Sequence, residues 1–319
     1  MPQGFPALVT SAAWRHEAES WIHDRAQDAG RRLAGPVEQL RVRPWSTQLV
    51  VATDQGRWWF KANCASMRFE AGLHDLLARL VPESVAAPVA VDVERGWILT
   101  DDKGPTLGDS RTPTLEDWCD VVRTTARMQR RLAAHEQAVL ATGVPDCRPE
   151  SVPERMDRVV EQLGALPADH PSHLDEASRR ALEARRPAVV DAAQALAESP
   201  VPVTFQHGDV HPWNTWLDLR VLDFGDVQWG SALEVLQVPY GWIARESTLP
   251  WEPVRDAYVE EWSDLVDHRT LHALLEASVF THAVNRTTTW IDALRDAAPD
   301  ELAQWGDGAR RTLGRVLEA

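Results

Sequence analysis

The stretch FQHGDVHPWNTWLDLRVLDFGD, Phe205 to Asp226, decides how this chain is read. Its 22 residues hold two histidines, four aspartates, one asparagine and two tryptophans between apolar positions. Three readings fit the stretch by itself. Asp209 and Asn214 can close a plain turn, since both side chains bond their own backbone. His207, Asp209, His211 and Asp223 offer the H-x-D-x-H donors of a metal-dependent hydrolase. Asp209, four residues and Asn214 also carry the D-x-x-x-x-N spacing of a phosphoryl-transfer loop, followed nine residues later by Asp223 at the end of an apolar run.

The flanks differ in character. Upstream, Thr10 or Ser11 caps a helix running to about Gly30, with Trp14, Ala18, Trp21 and Ile22 as its apolar positions. Three short segments rich in β-branched and aromatic residues follow: PVEQLRVRPW, TQLVVAT and RWWFKA. The turn Asp54-Gln55-Gly56 separates the last two, and the three read as antiparallel strands. SMRFEAGLHDLLARLV reads as an amphipathic helix, and APVAVDVE and GWILTDD as two more strands. Beyond KGPTLGDSRTP the pattern is helical, with Pro187 expected to kink or divide one helix. Further helices are expected near 252–266, 270–293 and 299–317. The opening stretch interrupts this body with very short strands. Strands first and helices afterwards predict an α+β fold with two lobes, residues 1–102 and 103–319.

Composition narrows the partners. The formal net charge of −15 disfavours nucleic acid, whose binders cluster lysine and arginine. It tilts mildly toward a cationic small molecule. Cys64, Cys119 and Cys147 show no metal or disulfide spacing. The start MPQGFPALVTSAAWRHE lacks the basic and apolar regions of a signal peptide, and no apolar run is long enough to span a membrane. A reducing cytoplasm is the expectation.

Phosphoryl transfer needs a carboxylate at the acceptor hydroxyl, oxygen ligands for magnesium and a cation on the α- and β-phosphates. WWFKA supplies the cation. Strand alternation puts Trp59 and Lys61 on one face and Trp58, Phe60 and Ala62 on the other. Glu70 follows nine residues on, in the first turns of the next helix. Its alternative is a plain surface position.

With His207-Gly208-Asp209, His211, Asn214, Leu222-Asp223-Phe224-Gly225-Asp226, Lys61 and Glu70 in place, the chain resembles the aminoglycoside phosphotransferase and choline kinase-like family, a branch of the protein-kinase-like fold. The resemblance covers nearly the whole chain in element order, with its specific motifs at 59–70 and 205–236. It implies a small N-terminal lobe with an antiparallel sheet, a larger helical lobe, and a nucleotide cleft between them. ATP, or GTP, would be the donor with Mg2+, and a hydroxyl of a small molecule the acceptor: an antibiotic such as an aminoglycoside, an amino sugar or an amino alcohol. Asp209 would be the base, Asn214 and Asp223 the magnesium ligands, Lys61 the phosphate contact and Glu70 its orienting partner. The backbone of Asp101, Asp102 and Lys103 would meet the nucleotide base.

The chain departs from the family pattern in three places. RPWSTQ stands where a glycine-rich loop would cover the phosphates, leaving Ser46 and Thr47 as hydrogen-bond donors. The hairpin around Asp218-Leu219 must be tight. GSALEVL replaces an acidic motif, with Ser231 at its first acid and Glu234 at its second. His207 is expected to brace the loop, and His211 to support it as well or to face the cleft. Asp226, Trp229, Asp256 and Glu260 are candidates for the acceptor site, against the plainer reading of core packing for Trp229 and a solvated helix face for the two acids. A catalytically silent nucleotide binder is the remaining alternative.

Overall fold

The computed structural model describes residues 4–319. Two helices open the chain, α1 (Phe5–Val9) and α2 (Ala12–Asp28). Ser11 caps α2 by accepting the Trp14 N–H at 3.3 Å. Strands β1 (Glu38–Val42), β2 (Ser46–Thr53) and β3 (Gly56–Asn63) follow, then α3 (Glu70–Leu80), β4 (Ala90–Asp92) and β5 (Trp97–Asp101). The five strands form one antiparallel sheet in the order β1-β2-β3-β5-β4.

The alternation along β3 sorts its two faces as the sequence predicts. Trp58, Phe60 and Ala62 are buried under α2, and Trp59 and Lys61 face the other way, into a cleft. Phe60 is the hub of the buried face. Its ring meets Trp97, Trp21 and Trp14 edge-on, at centroid distances of 5.4, 5.7 and 6.2 Å. Such edge-to-face pairs suit the ring quadrupoles and fix the tilt of α2 over the sheet.

The second lobe is mostly helical. It comprises α4 (Leu107–Ser110), α5 (Leu115–Leu132), α6 (Glu136–Leu140), α7 (Val152–Gly164), α8 (Glu176–Ala197), α9 (Gln237–Glu246), α10 (Glu252–Glu260), α11 (His268–Ala293), α12 (Pro299–Trp305) and α13 (Gly308–Glu318). A two-stranded antiparallel ribbon, β6 (Val203–Gln206) and β7 (Gln228–Ser231), lies between α5 and α11. Gln129 of α5 donates to the carbonyls of Phe205 and Ala232, at 2.9 and 3.0 Å. On the other side, Gln228 donates to the carbonyl of Asn285 on α11 at 3.0 Å. The ribbon that carries the opening stretch is thus bolted to both long helices through buried amides.

The lobes also meet away from the cleft. Trp45, in the β1–β2 turn, packs edge-on against Trp290 of α11 and Trp305 of α12, at 6.0 and 5.3 Å. The Arg43 guanidinium sits 5.4 Å from the Trp305 ring, and Ser66 Oγ donates to the carbonyl of Asp292 at 3.1 Å.

Three expectations are revised. Pro187 does not divide its helix, for α8 runs unbroken from Glu176 to Ala197. Pro187 and Glu183 are both exposed, so water can take the carbonyl that the proline leaves unbonded. The helix expected over 252–266 ends at Glu260, and Trp262, Leu265 and Val266 continue in turns. The one expected over 299–317 is two, broken between Trp305 and Gly308. The short helices α1, α4 and α6 and the longer α9 were not foreseen. Among the described residues, no helix is long and apolar enough to cross a membrane. Residues 1–3, where the segment read for a signal peptide begins, lie outside the described residues.

Phe60 is 1% exposed at the centre of this aromatic cluster. Phe60→Ala is expected to destabilise the protein by about 3–5 kcal/mol, read from urea denaturation midpoints, because the surrounding rings cannot collapse into the void. A loss under about 1 kcal/mol would mean that the α2–sheet interface repacks freely.

Candidate active site

A cleft of about 600 Å³ lies between the sheet and the helical lobe. Arg41, Gln48, Trp59 and Lys61 line it from the sheet, and Trp213, Asn214, Trp216 and Asp223 from the helical lobe. Residues Asp101 to Pro105 form its back wall.

Lys61 is the centre of the arrangement. Its Nζ donates to Glu70 Oε1 at 2.8 Å and to Asp223 Oδ1 at 2.7 Å. Burial works against the ammonium, but the two carboxylates outweigh it and hold the lysine charged, above its ordinary range. Glu70 is 2% exposed and fully committed. Its Oε2 accepts from Asn63 Nδ2 at 2.7 Å and its Oε1 from the Phe224 N–H at 3.0 Å. The surface alternative for Glu70 is therefore discarded.

Backbone geometry makes these contacts possible. Asp223 has φ 67°, a left-handed conformation that few non-glycine residues adopt, although aspartate is among the more tolerant. The turn it makes directs its carboxylate at Lys61 while the next N–H, that of Phe224, meets Glu70. Burial raises the Asp223 carboxyl, but the charges of Lys61 and Arg41 overcome that and keep it ionised, well below the usual range. Gly208, at φ +79°, is required by space as well as by conformation. A Cβ there would lie 2.2 Å from the Asp226 carbonyl oxygen.

Asp209 and Asn214 meet on the same loop. Asn214 Nδ2 donates to the Asp209 carbonyl at 2.9 Å and to Asp209 Oδ2 at 3.1 Å. His211 Nε2 lies 3.3 Å from the same Oδ2. Burial disfavours the Asp209 carboxylate, but the His211 hydrogen bond and the nearby Arg286 charge hold its pKa below the ordinary value. Trp213 stacks on Trp242 with centroids 4.9 Å apart and wedges against Gly108, where a Cβ would lie 2.5 Å from its ring. The Asp218-Leu219 hairpin is as tight as required. Leu219 sits at φ 65°, and Trp216 N–H bonds the Arg220 carbonyl at 2.8 Å.

His207 braces the loop. It is buried, its Nδ1 accepts the Asp209 N–H at 3.3 Å, and its Nε2 faces the Leu222 carbonyl at 3.1 Å. Both ring nitrogens are thus committed to backbone, which removes His207 from the metal-ligand set of the hydrolase reading. Among the described residues, no group of three or more His, Cys, Asp or Glu is placed to hold a metal ion. The donor set that remains is oxygen. With Asn214 giving its N–H to Asp209, its amide oxygen is left over, and Lys61 takes only Oδ1 of Asp223. A neutral oxygen and a carboxylate suit a hard cation such as magnesium.

Several sequence candidates are placed elsewhere. Ser46 and Thr47 are buried, at 1% and 0% exposure. Thr47 Oγ1 donates to the Arg41 carbonyl, and the neighbouring Gln48 faces the cleft in their stead. Asp101 and Asp102 line the cleft, but their side chains are tied to Arg31 at 2.7 Å and Arg57 at 2.6 Å. The Asp102 N–H bonds the Arg57 carbonyl and is not free for a ligand. Lys103 lines the cleft, 3.9 Å from Asp101. Trp229, on β7, is 0% exposed in a core cluster with Leu77 of α3 and Met128 of α5, so it borders no acceptor. Asp256 pairs with Arg255 at 2.8 Å, and Glu260 lies 3.3 Å from His268. Neither lines the cleft, and both belong to a solvated helix face. Asp226 is engaged by Arg286, with Oδ1 at 2.8 Å from one guanidinium nitrogen and Oδ2 at 3.0 Å from the other.

Arg41, Gln48, Trp216 and Arg286 were missed. Alternation on β2 would have found Gln48, since its partner Lys61 faces the cleft. Arg286 lies 60 residues beyond Asp226, with no local signal. Glu234, which stands at the second acid of the family motif, is buried and accepts from Asn285 Nδ2 at 3.1 Å. Burial lifts its carboxyl to about 7, against hydrogen bonds from Thr281 and Asn285.

His74 and His207 both fold neutral, with burial pushing each ring down to about 4 from 6.5. The unfolded chain takes up these protons below about pH 6.5 and the folded chain does not. Their contribution to stability is therefore lost as pH falls from about 6.5 to about 4. His74→Gln, which takes up no proton, is expected to flatten that dependence in urea titrations across this range. An unchanged slope would contradict it.

The phosphotransferase enzyme family model matches residues 45–274. Among solved structures, the chain is similar to a macrolide 2'-phosphotransferase from Brachybacterium faecium, at 17% identity and a TM-score of 0.56, covering 94% of this chain and 98% of that one. It is similar to a choline kinase from Streptococcus pneumoniae at 14% identity and a TM-score of 0.59, covering 95% and 100%. A GDP complex of an aminoglycoside 2'-phosphotransferase matches at 13% identity and a TM-score of 0.62, covering 94% and 97%. At such identities the structural likeness speaks to the fold. None of the curated proteins matches the chain in sequence. With more than two thirds of its length matched by the family model, the chain belongs to the phosphotransferase enzyme family and is a small-molecule kinase of the two-lobed, protein-kinase-like fold.

Proposed function

We propose that the protein transfers the γ-phosphoryl group of ATP to a hydroxyl of a small molecule, with magnesium at Asn214 and Asp223. The observation that carries this reading is the Lys61 ion network. One cation, held by Glu70 of α3 and Asp223 of the opposite lobe, stands in the cleft that is also lined by Asn214, the hydrogen-bond partner of Asp209. Phosphoryl transfer asks for this combination, with fixed positive charge for the phosphates and a carboxylate for the attacking hydroxyl.

In this reading Lys61 binds the α- and β-phosphates, with Glu70 keeping it in place. Arg41, at the cleft's sheet side, adds positive charge near the phosphates. Trp59, Ile98, Trp216 and Val221 give the nucleotide base an apolar slot. Magnesium, when bound, neutralises charge on the β- and γ-phosphates. Asp209 orients the acceptor hydroxyl. As the acceptor oxygen bonds to the γ-phosphorus, the bond from that phosphorus to the β,γ-bridging oxygen breaks. ADP departs, and the hydroxyl proton passes to Asp209. The depressed pKa of Asp209 keeps it ionised and ready to accept that proton. GTP in place of ATP is compatible with the same contacts.

The acceptor is read as a hydroxyl-bearing small molecule. The acids of α10 pair with the protein's own arginine and histidines, so they add nothing to a preference for a cationic acceptor. A panel of aminoglycosides, macrolides, amino sugars and choline-like alcohols, assayed for ADP and GDP release, identifies it.

MgATP is expected to raise the thermal midpoint through ligand linkage, and Asp223→Ala to abolish that shift. Asp209→Asn is expected to lower turnover on the order of 10²-fold or more while keeping the shift. Full turnover in Asp209→Asn would remove Asp209 as the base. An undiminished shift in Asp223→Ala would remove the metal role.

A further inference from the structure

We infer that Arg286 of α11 is a positioning residue for the proposed base, acting on Asp209 through Asp226 and Gly208. The inference rests on the reading of Asp209 as the base and extends it to a residue 77 positions away in the chain.

The contacts form a continuous path. Arg286 Nη2 donates to Asp226 Oδ2 at 3.0 Å, and Nη1 lies 2.8 Å from Oδ1 as an ion-pair contact without hydrogen-bond geometry. The hydrogen bond and the second close charge contact together hold the carboxylate against α11. The Asp226 backbone carbonyl presses against Gly208, whose Cα has no room for a Cβ on that side. Gly208 immediately precedes Asp209. Shifting Asp226 therefore shifts the residue that carries the base.

Arg286 is itself held from behind. Its guanidinium lies 5.8 Å from the Trp290 ring one turn further along α11. The preceding residue, Asn285, is locked by Glu234, the Cys147 carbonyl and Arg155. α11 thus presents the arginine from a rigid helix rather than from a loop, which suits a group that must hold geometry within a fraction of an ångström.

Charge alone does not explain the pair. An acid and a base of this size, removed from water, contribute little net stability compared with an apolar pair of similar shape. Keeping such a pair beside the reacting centre makes sense where it fixes orientation.

The experiment uses the full chain and the variants Arg286→Met, Arg286→Lys, Asp226→Asn and the double variant Asp226→Asn/Arg286→Met. Turnover is measured with MgATP and the acceptor found by the panel, and as MgATP hydrolysis without acceptor. Arg286→Met is expected to lower kcat by about 10²-fold, the size of effect that a misplacement near 1 Å produces, with the KM for MgATP within about twofold of wild type. Arg286→Lys is expected to recover part of the loss, and the double variant to be no worse than Arg286→Met, since both changes break one path. A crystal structure of Arg286→Met, or of Arg286→Lys should the methionine variant not fold, is expected to show the Gly208–Asp209 segment displaced. An unmoved segment overturns the inference, as does wild-type kcat in Arg286→Met or strict additivity in the double variant. Asp209→Asn in the same assays separates the two levels. Wild-type turnover there sinks the base assignment itself. Loss there, with wild-type turnover in Arg286→Met, sinks only the role of Arg286.

Discussion

One cation joins three pieces of chain that are far apart in sequence. Lys61 comes from the sheet, Glu70 from the helix behind it, and Asp223 from the opposite lobe 162 residues on. Each charge would be expensive to bury by itself. Together with Asn63 and the Phe224 N–H they satisfy one another, and the cleft closes around them. The register of β3, the placement of α3 and the left-handed turn at Asp223 are all needed to bring the three groups within bonding distance.

The legible part of the site was the part encoded at short range. Lys61 and Glu70 follow from strand alternation and a nine-residue step into a helix, and both were read correctly as a pair. Asp209, Asn214 and Asp223 share one loop; Asn214 and Asp223 line the cleft, and Asp209 is tied to Asn214 by a hydrogen bond. His207 was read as a brace, and its buried ring spans two backbone groups. What failed depended on burial across long distances. Ser46 and Thr47 look like donors over a phosphate because they are polar and sit near a turn. Thr47 points to the core face of the sheet, and Ser46, on the same face as Gln48, is buried all the same, so Gln48 takes the place open to the cleft. Trp229 looks like a pocket wall, but it is wholly buried from β7 into a core shared with α3 and α5. Arg286 gave no signal, since nothing in a long helix marks which of its arginines meets an acid 60 residues earlier.

The fold was legible to a similar degree, for similar reasons. The five strands of the first lobe carry their own punctuation, and short turns join β1 to β2, β2 to β3 and β4 to β5, while α3 links β3 to β4. The helical lobe was predicted as helices but not as boundaries. Pro187 illustrates the difference: the local rule calls for a break, and exposure at that position makes the break unnecessary. Trp45 shows the converse. It lies in an irregular turn with no periodicity, yet it ties the first lobe to α11 and α12. The turn expected to cover the phosphates is thereby anchored to the lobe that carries Asp209.

The chain contains 33 basic residues counting lysine and arginine, yet only two are lysines, Lys61 and Lys103. Both line the same cleft. Guanidinium groups carry nearly all the rest of the positive charge, including every surface ion pair outside the cleft that involves neither lysine nor histidine. Lysine-directed chemistry therefore meets this protein only at its nucleotide end. Acylation or reductive methylation of lysine leaves the surface charge pattern almost untouched while altering the two side-chain amines that line the cleft, so the sequence has in effect reserved its lysines for one side of the molecule.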